Sequence, residues 1–292
     1  MTVSFRPLHP VFAAEAINLS LETPLTPETT AEIERGLDEY AVILIRGQAL
    51  TERQQMQIGE ALGPIEARPA SVGIGSRRLA DGRMNDISNL DAQGNLLARD
   101  NQRRLFNLGN RLWHTDSSFK STPAKYSMLY GKQVPATGGE TEFADMRAAW
   151  DRLDSELQTE VLDLVAKHSL LYSRALLGFE EFSDEERTRY EPVAQRLVRR
   201  IPGSGRLALY LAAHIGAIDE MIRPEAMVLV RELMEHATQP ALVYRHQWQA
   251  DDLVIWDNRC TMHRATRVAP DVVRDMRRVT VADYASTLEQ PR

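Results

Sequence analysis

Apolar and polar positions along this chain switch between helical and strand-like spacing, and the switches mark its elements. Thr26-Pro27 sets a capping hydroxyl before a proline at the first helical position, and Ile33, Leu37 and Tyr40 follow at helical spacing. Ala41 to Ile45 is then an unbroken apolar run, which predicts a strand buried on both faces. Arg46-Gly47-Gln48 turns the chain. Thr51 with Gln54 three residues later is a capping-box pattern for a second helix, and Gly63-Pro64 stops it. Residues 66–110 break the pattern. They are rich in Gly, Arg, Asn and Asp, with a short strand expected around Asn85 to Leu90, and a polar stretch of this length predicts an active-site lid.

Further on, short strands are predicted at Tyr126–Tyr130, Leu197–Ile201, Leu207–Leu211, Leu242–Trp248, Leu253–Trp256 and Val279–Tyr284. Helical spacing interrupts them over Asp145–Lys167, expected as two helices, and over Pro224–His236. There is no internal repeat, so residues 1–292 read as a single domain. Short strands with inserted helices predict a mainly β fold, a sandwich or barrel core with helical decoration. Neither GxGxxG nor GxxxxGK[ST] is present, so a dinucleotide or P-loop site has no support.

Composition narrows the chemistry. Hydrophobic residues make up 43% of the 292 and charged residues 26%, ordinary values for a globular chain. No run approaches the roughly 18 apolar residues of a membrane helix, so no membrane partner is expected. The N-terminus lacks the charged and apolar regions of a signal peptide. A cytoplasmic location follows as an expectation. The single cysteine, Cys260, rules out an internal disulfide framework and a Cys-rich metal site, and is read as packing. A net charge of -6 gives no electrostatic support for a nucleic-acid partner. A metal would therefore need His and carboxylate ligands, and an anion would need local arginines.

The segment Trp113-His114-Thr115-Asp116 offers both ligand types. Side chains two apart share one side of an extended chain, so His114 and Asp116 can reach one point. Two histidines and a carboxylate on one face of Fe(II) leave three positions open. An HxD tripeptide alone is equally a surface histidine beside an acid. His263 ends a polar loop directly after the apolar run Leu253–Trp256, which makes it a plausible third ligand or a satisfied structural histidine. Arg274 and Arg278, four apart, share a face of an extended segment. Each needs an anion if it points inward, and guanidinium suits carboxylates; otherwise, with Arg277, they form a solvated basic edge. Thr141 follows the turn-forming Gly138-Gly139. His214 either lines a pocket or is structural, and the remaining histidines are read as structural. Arg83, Arg99 and Arg103 in the expected lid either steer anions or are solvated.

WHTDSSF, GGETEFADMRAAW, WDNRCTMHR and RDMRRVTV occur in that order. With PLHPVFAAE, DISNL, PAKYSML, LLYSRALLGF and EHATQPALVYRHQW they span nearly the whole chain. Together they resemble the Fe(II)/2-oxoglutarate dioxygenases of the taurine dioxygenase/2,4-dichlorophenoxyacetate dioxygenase family, in particular its aryloxyalkanoate branch. The resemblance implies a double-stranded β-helix (jelly-roll) core, with iron held by His114, Asp116 and His263. It implies that Arg274, helped by Thr141, binds the distal carboxylate of 2-oxoglutarate. Arg278 would meet the acid group of a small anionic aromatic substrate, and Asn110 would orient groups beside the metal. Fe(II), 2-oxoglutarate and O2 would be required, with ascorbate as an accompanying reductant. The implied reaction converts an aryloxyacetate to a phenol and glyoxylate, with succinate and CO2 as coproducts, as in herbicide catabolism. A homo-oligomer, dimer or higher, is the default assembly. Rival readings are an alkylsulfonate or other aromatic-acid dioxygenase and, in another class, a non-catalytic jelly-roll binding protein.

Overall fold

Two strands with no readable pattern begin the fold: β1 (Ser4–Pro7) pairs antiparallel with β2 (Ala14–Ile17), and β2 runs parallel to β3 (Val42–Ile45). These elements belong to a computed structural model that describes residues 3–66 and 78–291. Between β2 and β3, the Thr26 hydroxyl accepts the Thr29 N–H at 3.2 Å and opens α1 (Pro27–Tyr40). The chain leaves this helix through Ala41 at a left-handed φ of 60° and enters β3. The capping box forms as predicted: Thr51 and Gln54 exchange side-chain to backbone bonds at the start of α2 (Glu52–Leu62).

Part of the expected lid, residues 67–77, lies outside the described residues. Residues 78–110 carry β4 (Asn85–Asp86), shorter than expected, then α3 (Gln102–Phe106) and a 3-10 turn, Asn107–Arg111. Ion pairs tie this segment down. Arg78 meets Asp86 at 3.1 Å and also Asp275, and Arg103 meets Asp86 at 3.5 Å.

The strand predicted at Tyr126–Tyr130 follows as the longer β5 (Ala124–Gln133), then β6 (Thr141–Asp145), α4 (Met146–Asp151) and α5 (Ser155–Val161). The expected helical stretch does not reach Lys167. Val165–His168 is a strand, β7, because its residues pair with β8 (Val193–Arg196), and that cross-strand ladder overrides local spacing. Two short helices, α6 (Leu170–Ala175) and α7 (Asp184–Arg189), lie between β7 and β8. Then come β9 (Val198–Arg200), β10 (Leu207–Leu209), β11 (Ile215–Ile218) and α8 (Arg223–Ala237). The chain closes with β12 (Val243–His246), β13 (Leu253–Asp257), β14 (Thr261–Ala265) and β15 (Asp275–Ala282).

The fold is mainly β. A seven-stranded sheet has the order β1-β2-β3-β13-β5-β15-β4, and a three-stranded sheet has the order β12-β6-β14. Strand alternation splits the large sheet into two faces. Ile43, Ile45, Met128, Ile255, Val279 and Val281 join the core beneath α1 and α2. Leu44, Leu129, Val254, Trp256 and Met276 join Phe143 of β6 in a second core, between the two sheets. Arg278 and Thr280 share the inward parity of Met276 on β15. Among the described residues, no helix is long and apolar enough to cross a membrane.

The helical layer presses closely on the strand that carries Arg278. A Cβ at Gly59 of α2 would stand 2.8 Å from Val279 and 2.7 Å from Ile65. Gly59→Val is therefore expected to destabilise the protein by roughly 1–3 kcal/mol. The check is a lower midpoint of chemical denaturation at unchanged slope; an unchanged midpoint would show that the layer has slack.

Candidate active site

Two backbone hydrogen bonds bring the site together. His114 and His263 form an isolated antiparallel bridge, with N–H···O distances of 3.1 and 2.8 Å, and their rings lie tilted at 46° with centroids 4.2 Å apart. Asp116, two residues on from His114, reaches the same point, as the alternation of an extended chain requires. Its Oδ1 lies 3.9 Å from His114 Nε2 and its Oδ2 3.7 Å from His263 Nε2. One ligand atom from each of the three residues lies within 4.8 Å of the others, and all three residues are buried. The Leu112 carbonyl accepts a bond from His114 Nδ1 at 2.7 Å. That fixes the proton on Nδ1 and leaves the Nε2 lone pair facing Asp116, the tautomer a metal ligand needs.

The carboxylate is held on every side. Ser127 of β5 donates to Oδ2 at 2.7 Å, and Arg278 Nη1 donates to Oδ1 at 2.5 Å. Asn258 accepts the Asp116 N–H at 3.3 Å, accepts Trp256 Nε1 at 2.9 Å, and donates to Ser127 at 3.0 Å. Sequence reasoning missed Ser127 and Asn258. A signal existed for Ser127, a hydroxyl in an otherwise apolar strand, as for Thr280, 3.4 Å from it on β15. Burial by itself would push the Asp116 carboxyl up, but the Arg278 guanidinium, with the Ser127 hydroxyl, holds it well below the ordinary carboxylate range. Burial drives the His114 and His263 imidazoles down, His263 the further, so both are neutral at pH 7.

A cavity of about 400 Å³ opens on this cluster between the two sheets. Ile87, Leu129, Trp256 and Val268 give it apolar walls, and Asn110, Thr141, Arg274 and Arg278 give it polar ones. Thr141 Oγ1 accepts Trp248 Nε1 at 3.0 Å, which leaves its own proton to donate elsewhere. Asn110 sits on the 3-10 turn after α3. A Cβ on neighbouring Gly109 would collide with the Arg174 guanidinium, which stacks on Phe106 at 4.3 Å.

Among the described residues, Arg274 is a buried charge without a counter-ion, as is Arg174, but only Arg274 lines the cavity. It is buried, its Nε and Nη2 have no partner, and it forms no ion pair among the described residues. Burial pushes its guanidinium down to about 10, so it stays protonated at pH 7. Unlike Arg274, Arg277 faces the other side of β15, over the Tyr130 ring, and donates to the Leu50 carbonyl at 2.7 Å. The solvated basic edge is thereby replaced by two inward arginines and one buried outward one.

Other candidates fall away from the cavity. His214 does not line it. It packs edge-on against Phe119 and His114, behind the ligand. Trp113 is covered by Arg264 instead of facing the cavity, whereas Trp256 forms part of the wall. Arg83 pairs with Asp81 and Glu60, and only Arg99 of the three lid arginines lines the cavity. Cys260 is buried among apolar side chains and burial pushes its thiol up, which fits packing.

Comparisons with known proteins show what the chain as a whole is similar to. The family described as taurine catabolism dioxygenase TauD, TfdA family matches residues 4–280. The alpha-ketoglutarate-dependent 2,4-dichlorophenoxyacetate dioxygenase of Cupriavidus pinatubonensis is 42% identical, covering 98% of this chain and 99% of its own. The (S)-phenoxypropionate/alpha-ketoglutarate-dioxygenase of Sphingobium herbicidovorans is 34% identical, covering 89% and 88%. The crystal structure of AAD-2 in complex with Mn(II) and N-oxalylglycine superposes with a TM-score of 0.92 at 48% identity, covering 99% and 100%.

With both imidazoles neutral and the carboxylate ionised, Mn(II) uptake at pH 7 is expected to release essentially no protons. Affinity should stay level down to about pH 6.5, where an ordinary imidazole is half protonated. Titration calorimetry in buffers of different ionisation heat checks this. Release of a whole proton per metal would mean that a ligand is protonated in the free protein.

Proposed function

The chain belongs to the taurine catabolism dioxygenase TauD, TfdA family, and we propose that it hydroxylates the side-chain carbon of an aryloxyacetate such as 2,4-dichlorophenoxyacetate, using Fe(II) and 2-oxoglutarate. The observation that carries this reading is the unpaired, protonated Arg274 on the wall of the cavity that holds the metal ligands. A buried guanidinium without a counter-charge is costly, and a carboxylate ligand removes that cost. The 42% and 34% identical relatives support the substrate class.

His114, Asp116 and His263 would hold the iron. When bound, it supplies the activation of O2 that converts 2-oxoglutarate to succinate and CO2 and oxidises a substrate C–H bond. Arg274 grips the distal carboxylate of 2-oxoglutarate, and the free Thr141 proton donates to the same group. Arg278 has five N–H donors and spends one on Asp116, so its other donors take the substrate carboxylate. That bond draws the substrate α-carbon toward the ligand cluster. Asn110 orients the groups between, and Ile87, Leu129, Trp256 and Val268 exclude water around the aryl ring. A hydroxyl placed on the carbon that carries the aryl ether oxygen makes a hemiacetal, which collapses to a phenol and glyoxylate.

The same reading takes the two facing sheets as a double-stranded β-helix and residues 1–292 as one domain, with a lid in 66–110. It includes ascorbate as a reductant, a cytoplasmic location and a homo-oligomer.

Arg274→Ala removes a charge-assisted grip on a buried carboxylate, a loss of roughly 2–5 kcal/mol. The 2-oxoglutarate concentration for half-maximal succinate release should rise roughly 30- to 5,000-fold. Arg278→Ala should damage aryloxyacetate turnover more than 2-oxoglutarate affinity. Steady-state kinetics in both cosubstrates decides it, and equal losses on the two axes would refute the division of labour between the arginines.

A further inference from the structure

The turn that follows Asp116 is held by parts of the chain that take no part in the cavity. Ser117 sits at a left-handed φ of 55°, and the Lys120 N–H closes the turn on the Ser117 carbonyl at 2.9 Å. Residues 116–120 lie outside any strand, so their carbonyls need donors from elsewhere. Gln195 of β8, fully buried, supplies them. Its Nε2 donates to the carbonyls of Ser118 and Lys120, each at 2.9 Å. Its Oε1 accepts the Thr287 hydroxyl at 2.6 Å.

The direction of each proton is determined. Thr287 Oγ1 accepts the Arg196 N–H at 3.0 Å, so its single proton points to Gln195. The amide of Gln195 must then turn its NH2 toward the turn. Thr287 itself is lashed down: Arg196 Nε donates to the Thr287 carbonyl at 2.8 Å and Nη2 to the Leu288 carbonyl at 3.0 Å. Arg199 Nη2 binds Asp283 at 2.7 Å and Gln290 at 2.6 Å. Residues 283–290 thus form a strap fastened across β8 and β9. The turn's other fastenings are Glu66 on Ser117 and Lys120, and His168 on the Ser118 hydroxyl at 2.9 Å.

We infer that the Thr287–Gln195 pair is a positioning device for the metal-ligating carboxylate: the C-terminal strap fixes the turn after Asp116, and so the approach of Asp116 to His114 and His263. The inference rests on the metal-site reading above. The strap acts on the main chain, where Asp116 is held least: Ser127 and Arg278 hold its carboxylate, but its backbone N–H makes only a long, 3.3 Å bond to Asn258. Partners that orient a ligand without touching the metal are worth roughly 10- to 100-fold in affinity. An indirect device belongs at the lower end of that range.

The test uses full-length metal-free protein and Mn(II) alone, with free Mn(II) read by electron paramagnetic resonance and apoprotein stability by thermal unfolding. Thr287→Val, similar in volume but without the hydroxyl, should raise the Mn(II) Kd about tenfold. Thr287→Ser, which restores donor and acceptor, should bind as the wild type does. Leu288→Ala, at an exposed side chain of the strap, should also bind normally. If Thr287→Val does not fold, Gln195→Met carries the same comparison, since it leaves the Arg196–Thr287 bond in place. A lowered unfolding temperature with an unchanged Mn(II) Kd in the folded variant would overturn the inference and leave the pair a stability feature. A wild type that takes up no Mn(II) would instead overturn the metal-site reading itself.

Discussion

The site depends on one short piece of backbone pairing, the bridge between His114 and His263. It joins β14 to a segment that is otherwise outside any strand, and it does so with only two hydrogen bonds. Because the bridge is made by main chain, the two imidazoles inherit their relation from backbone geometry and need no side-chain recognition to find each other. Much of the nearby architecture serves to keep that bridge true. Thr115 donates to the Thr261 carbonyl at 2.7 Å beside it, and the Trp113 carbonyl accepts the Ala213 N–H at 2.9 Å on the other flank. The small sheet is therefore a platform for one ligand and an alignment guide for the other two.

Charge is distributed with the same economy. The chain as a whole is acidic, with a net charge of -6, yet the cavity is lined by Arg99, Arg104, Arg111, Arg267, Arg274 and Arg278 and by no carboxylate among the described residues. Arg278 balances Asp116, and Arg274 is left in excess. Local order decides this, since β15 sends Arg278 inward and Arg277 outward by alternation alone. Global charge accordingly says little about what enters the cavity.

How much of this was legible depended on how local each cause is. α1, α2 and β3 were readable because caps and an apolar run act within a few residues. β7 was not, since the pairing that makes Val165–His168 a strand comes from β8, far along the chain. β1, β2 and β11 are likewise made by their partners. In the site, His114 and Asp116 shared a face on spacing alone, and Arg274 and Arg278 did so by the same rule. The supports were hidden. Asn258 and Ser127 are ordinary polar residues until the fold turns them toward Asp116, and Gln195 until it meets the turn that follows. His214 shows the converse, a histidine after a strand whose ring the fold placed behind the ligand.

The isolation of Arg274 has a further consequence for turnover. The proposed reaction removes the carbon at one end of 2-oxoglutarate and leaves the other end unaltered, so succinate presents Arg274 with the same carboxylate that arrived. An anchor of this kind is blind to the progress of the reaction. It cannot eject the product, and any preference for fresh cosubstrate over spent must come from the opposite end of the molecule, at the metal ligands. On the proposed reaction, product release and cosubstrate exchange would thus be controlled where the chemistry happens, with Arg274 a fixed pivot common to both.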